Sequence, residues 1–190
     1  MASHAVSGRV GADRPVAGFV LLLGALVAVA IGAYAGLHEP AGRPFTTLGF
    51  SGMLQMKAWL TTAAVALLLV QLTTALWMWG RLPGVRARAP GWASLLHRWS
   101  GAAAFTLTLP VALHCMWALG FATDSPRVLL HGLTACLFYG AYAAKMLGLR
   151  VRGLPGCSLP VLGGSVLTAL VQVWLTSALW FFTRSGVSLT

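Results

Sequence analysis

Residues 15–37 read PVAGFVLLLGALVAVAIGAYAGL, a run without one charged side chain. As a helix rising about 1.5 Å per residue, it covers the roughly 30 Å of a bilayer's hydrocarbon core. Comparable apolar runs follow at about 53–79, 95–120, 127–149 and 160–182. Lipid offers the backbone no hydrogen-bond partner, so a spanning segment must satisfy its own amides, and none of these runs alternates as a barrel strand does. The pattern predicts an all-α integral membrane bundle of five transmembrane helices. A polar cytoplasmic tail at 1–14 precedes a single membrane domain at 15–183, and 184–190 form a short tail. Ala33-Tyr34-Ala35 offers a small-residue cleavage pattern, but the apolar run is longer than a signal-peptide core, so it reads as an uncleaved helix.

Composition agrees. Of 190 residues, 58% are hydrophobic and 8% charged, whereas a soluble domain carries roughly 25% charged residues. The net charge of +10 comes from 13 Lys and Arg against 3 acidic residues. The basic residues punctuate apolar runs instead of clustering, which indicates membrane topology and not nucleic-acid binding. Arg9 and Arg14 precede the first run, Arg81, Arg86, Arg88 and Arg98 lie between the second and third, and Lys145, Arg150 and Arg152 end the fourth. The opposite loops hold fewer: Arg43, Lys57, Arg127 and Arg184. The positive-inside rule therefore puts the N-terminus in the cytoplasm and the C-terminus outside, in a bacterial plasma membrane crossed several times. Tryptophans near the run ends suit interfacial belts. No repeat, nucleophile triad, paired catalytic carboxylates or phosphate-binding glycine loop is present.

The chemistry-bearing residues are histidines. His4 lies in the tail, while His38, His97, His114 and His131 sit near the ends of apolar runs. Ionisable groups in a membrane are costly, which makes them functional suspects. His114 lies six residues before Gly120 and His131 four after Arg127. Each is thus roughly 6–9 Å inside the outer boundary, on helices joined by a short loop. Two imidazoles at one depth suggest the axial ligands of one haem b. Arg127 is the nearest charge partner for a propionate, with Arg43 and Lys57 on the same side. A stripe of Gly132, Cys136, Gly140 and Ala144 permits either close helix approach or a flat ring. Pro110 removes a hydrogen bond to the Thr106 carbonyl and kinks the third run. His97 points away from His114 around the helix and suits a quinone or a propionate, with His38 a further second-site candidate. The plain alternative is that each histidine bonds a backbone carbonyl. Cys115, Cys136 and Cys157 lack any CxxC spacing and read as small core residues. Met53, Met56, His38, His114, Cys115, Met116 and His131 form an alternative copper set, since thioether, thiolate and imidazole suit Cu(I). Gln55, Gln71 and Gln172 are the polar interior residues of a cofactor-free subunit or small transporter.

Leu96-His97-Arg98-Trp99-Ser100-Gly101 resembles the His-Arg-x-Ser-Gly segment of the cytochrome b anchors of succinate dehydrogenase. That resemblance implies quinone-pocket or propionate roles for His97, Arg98 and Ser100. More broadly the chain is similar to b-type cytochrome and ferric-reductase-like membrane proteins. Through His97–Gly101, Leu109–Cys115, Gly120-Phe121 and Arg127–His131 with Tyr139-Gly140 and Lys145, it resembles an uncharacterised actinobacterial membrane family of unknown function. The expectation is a haem-bearing electron-transfer protein or anchor subunit. It would pass electrons between a quinol pool and an extracytoplasmic redox partner or further redox subunits.

Overall fold

The computed structural model describes the backbone of residues 9–187 and the side chains of residues 15–187. His4 and the side chains of Arg9 and Arg14 lie outside them. The described residues form α1 (Arg9–Leu37), α2 (Met53–Met78), α3 (Gly91–His114), α4 (Pro126–Gly148), α5 (Ser158–Trp174) and α6 (Trp180–Ser185). A π-helical turn, Cys115–Leu119, prolongs α3, and another, Leu175–Leu179, joins α5 to α6. No strand occurs among them.

Four segments are long and apolar enough to cross a membrane: Pro15–Leu37, Met53–Met78, Gly91–Leu119 and Ser158–Ser185. The chain is accordingly a multi-pass membrane protein. Of the five expected spans, α4 is the one not among these four. Its 23 residues include Arg127, His131, Tyr139, Tyr142 and Lys145, which dilute its apolar character. The surface agrees with a lipid environment. On α1 alone, Phe19, Leu21, Leu22, Leu26 and Val29 are each more than half exposed, a patch that water would penalise and lipid does not.

The chain divides into two compact units. The first contains α1, α4 and α5 up to Val173. Here α1 and α4 run antiparallel and touch through backbone. A Cβ added at Gly24 would lie 2.7 Å from the Gly140 carbonyl oxygen, and one at Gly140 would lie 2.5 Å from that of Gly24. Further along, Gly32 faces Cys136 Sγ, and Gly132 receives the Phe121 ring. The small-residue stripe of α4 is therefore filled by α1 and by Phe121. Of its two sequence-level uses, helix approach is the one observed. Below the crossing, Val20, Ala144 and Leu162 form a buried cluster with Leu147, Val151 and Leu154 against it. Ser125 caps α4 by accepting the Val128 amide, with Pro126 at the first helical position where its missing N–H costs nothing.

The second unit spans His38–Gly120 and the chain from Trp174 onward. Its centre is the antiparallel hairpin of α2 and α3. The C-terminal segment attaches to α2 through Trp174, whose Nε1–H donates to Thr62 Oγ1 at 2.9 Å, and through an edge contact of Trp59 with Phe182.

Candidate functional site

Both histidines of α3 lie in the second unit, one at each end of the helix. His114 is completely buried. Its Nδ1 is 2.6 Å from the Pro110 carbonyl oxygen, and its Nε2 is 3.2 Å from the Thr46 amide nitrogen. A carbonyl only accepts and an amide only donates. The ring is thus neutral, with the proton on Nδ1 and the lone pair of Nε2 directed at Thr46. The proline expected to kink α3 supplies the carbonyl that orients the histidine. The helix continues past Pro110 to His114 and widens to the π turn immediately afterwards.

The segment carrying Thr46 is tied to that turn. Ala41 and Gly42 donate their amides to the Trp117 and Ala118 carbonyls at 2.9 and 3.1 Å. His38 stacks on Trp117 with ring centroids 4.8 Å apart. Leu48 and Gly49 both take positive φ, 49° and 87°, reversing the chain before α2. Thr46 thereby reaches the buried imidazole from a loop 68 residues distant in sequence.

At the other end, Gln71 bridges α2 to α3. Its Nε2 donates to the His97 carbonyl and to Ser100 Oγ, the latter at 2.7 Å. Gly101 leaves room for this amide: a Cβ there would sit 3.0 Å from Gln71 Oε1. Thr74 Oγ1 donates to the Val70 carbonyl at 2.6 Å and lies 2.9 Å from His97 Nδ1. With the hydroxyl proton on Val70, His97 donates from Nδ1 to the Thr74 oxygen. Ser100 is buried and donates to Leu96, so its oxygen is the acceptor for Gln71. Replacing Gln71 with leucine should cost about 0.6–2 kcal/mol, the worth of an interhelical hydrogen bond in a membrane protein. Thermal unfolding in detergent checks this. Leucine at Thr73, whose hydroxyl bonds only its own helix, should stay within about 0.5 kcal/mol of wild type.

The other sequence-derived candidates fall as follows. Arg43 and Arg98 are exposed, and Lys57 is partly buried. Met56 is fully buried, while Met53, Cys115 and Met116 are partly so. Among the described residues, no three or more His, Cys, Asp or Glu side chains gather as metal ligands. Gln55 is buried and accepts from the Ser51 hydroxyl at the start of α2. His131 and Arg127 lie in the first unit, on the first two turns of α4, both partly buried. Two partners escaped the sequence reading. Thr46 carries no local signal. Thr74 does, since Gln71-x-x-Thr74 sets two polar groups on one face of an apolar helix.

These features define a class: an all-helical, multi-pass membrane protein whose intramembrane polar groups centre on a histidine-bearing hairpin. The profile of a family of unknown function (DUF6529) matches residues 17–189, and the chain belongs to that family. No curated protein and no solved structure matches it.

Proposed function

We propose that this chain is a haem-bearing membrane subunit, similar to b-type cytochromes, that carries electrons between a quinol pool and a redox partner outside the cytoplasm. In this reading α4 is a fifth span, the N-terminus is cytoplasmic, and the membrane is a bacterial plasma membrane. One observation carries the proposal. His114 is buried in a membrane helix with Nδ1–H anchored on a backbone carbonyl, the arrangement that fixes tautomer and orientation in a metal-ligating histidine. Nε2 is the atom that would hold the iron, and the Thr46 amide would yield its bond there. When bound, haem b supplies one-electron redox chemistry. The protein's residues supply a neutral imidazole, a water-excluded surrounding and a preset ring plane.

The absorption spectrum of the purified chain tests this. The expected result is a Soret band with a reduced alpha band, both abolished in His114→Ala. His131→Ala should abolish them too if His131 also holds the haem, and spectra of His38→Ala and His97→Ala test the remaining candidates. A colourless protein with no extractable haem, after expression with ample haem, overturns the reading. A second reading then takes its place, a cofactor-free membrane subunit. It is favoured by the same imidazole, because backbone groups already satisfy both of its nitrogens.

A further inference from the structure

We propose that the α2–α3 end of the second unit holds an anionic phospholipid by its headgroup. An open groove of about 430 Å³ lies there, lined by Trp77, Met78, Gly80, Arg88, Gly91 and Ser94 among others. Its loop is held in place and not left to swing. Trp77 Nε1–H donates to the Ala87 carbonyl at 3.1 Å, fixing the residue next to Arg88, and the Trp77 ring meets Trp92 edge-on at 5.4 Å. Gly80 and Gly84, at φ 64° and 77°, let the chain turn tightly enough to return over the end of α2.

Charge selects the ligand. Arg88 lines the groove, Arg81 and Arg86 belong to the same loop, Arg98 follows on α3, and no acidic residue lies between 77 and 98. A guanidinium pairs with a phosphate through two parallel hydrogen bonds, and basic recesses between membrane helices suit anionic headgroups. The surroundings select a lipid over a free anion. From the groove's rim, Trp92, Leu95 and Trp99 extend along one face of α3, 52–67% exposed. This apolar strip gives acyl chains a path beside the headgroup, and Trp92 stands at the level where interfacial tryptophans sit.

The test uses the full chain in neutral detergent, titrated with short-chain phosphatidylglycerol, phosphatidylcholine or inorganic phosphate, with the thermal midpoint as readout. Phosphatidylglycerol should raise the midpoint, and the other two should not. Arg88→Gln should weaken the apparent affinity about fivefold, the effect of one cation at a membrane surface. Arg150→Gln, an exposed arginine of the first unit, should leave it unchanged. Should Arg88→Gln not fold, Trp77→Phe, which keeps an aromatic ring but loses the indole N–H that holds Ala87, must show the weakening. Equal responses to the two lipids, or equal losses in Arg88→Gln and Arg150→Gln, overturn the proposal. A response to phosphate matching that to phosphatidylglycerol also overturns it, assigning the groove to a free anion.

Discussion

Gly140→Ala should destabilise the chain by about 1–3 kcal/mol, the usual cost of forcing a methyl into a filled interface. The new Cβ would sit 2.5 Å from the Gly24 carbonyl oxygen and 2.9 Å from Ala28 Cβ. Neither is the end of a flexible side chain that could swing aside, so α1 and α4 must part. Separation forfeits dispersion along the whole crossing, and in lipid that packing is much of what holds two helices together. Gly24→Ala should behave alike, since its Cβ would meet the Gly140 oxygen at 2.7 Å and Ala144 Cβ at 2.9 Å. The control is Gly18→Ala on the same helix, where nothing lies within 4 Å of the added atom. Alanine is the better helix former there by roughly 0.5–1 kcal/mol, so Gly18→Ala should be neutral or stabilising. Thermal midpoints of the three variants in one detergent decide the matter. If Gly140→Ala melts with Gly18→Ala, the close crossing is not present in the protein.

His114→Ala should cost more, about 3–5 kcal/mol. Truncating a fully buried side chain leaves a cavity and strands two polar groups. The Pro110 carbonyl loses the imidazole proton, and the Thr46 amide loses its acceptor. The loop before α2 should loosen with it. Amide exchange at Thr46 is therefore expected to accelerate in the variant while the Ala41 and Gly42 amides, bonded to the π turn, remain slower. The measurement is hydrogen exchange read by mass spectrometry over the segment 38–52, beside the thermal midpoint. An unchanged midpoint together with unchanged exchange at Thr46 would show that the imidazole does not tie this loop down. The faster exchange at Thr46 is expected of the cofactor-free chain, since iron on Nε2 would already have displaced that amide, and the visible spectrum reports on the cofactor.

The glycines show why part of the architecture was legible and part was not. On α4, Gly132, Cys136, Gly140 and Ala144 repeat every fourth position, and so do Gly24, Ala28, Gly32 and Gly36 on α1. Spacing marks the α4 stripe as a surface for close approach, and the same signal on α1 escaped the sequence reading. Spacing does not say whether a helix or a flat ring fills the α4 stripe, because both need the same absence of side chains. The histidines divide in the same way. Their place near the ends of apolar runs follows from numbering, and so does Gln71 as an interior polar group. That Pro110 orients His114 is a local matter four residues long, open to a reader who asks where an imidazole proton goes in a dry helix. That Thr46 takes the other nitrogen is not, for it joins positions 68 apart through a loop whose path depends on Leu48, Gly49 and the stack of His38 on Trp117.

The amino-acid order by itself determined the lipid environment and the helical class. Free energy of transfer and backbone hydrogen bonding depend on composition and run length, both local quantities. Tertiary structure alone decided which small-residue faces meet, which amide occupies the second nitrogen of His114, and which arginine lines a groove. Those outcomes depend on atoms brought together from distant parts of the chain, at distances of a few ångströms that no local pattern encodes.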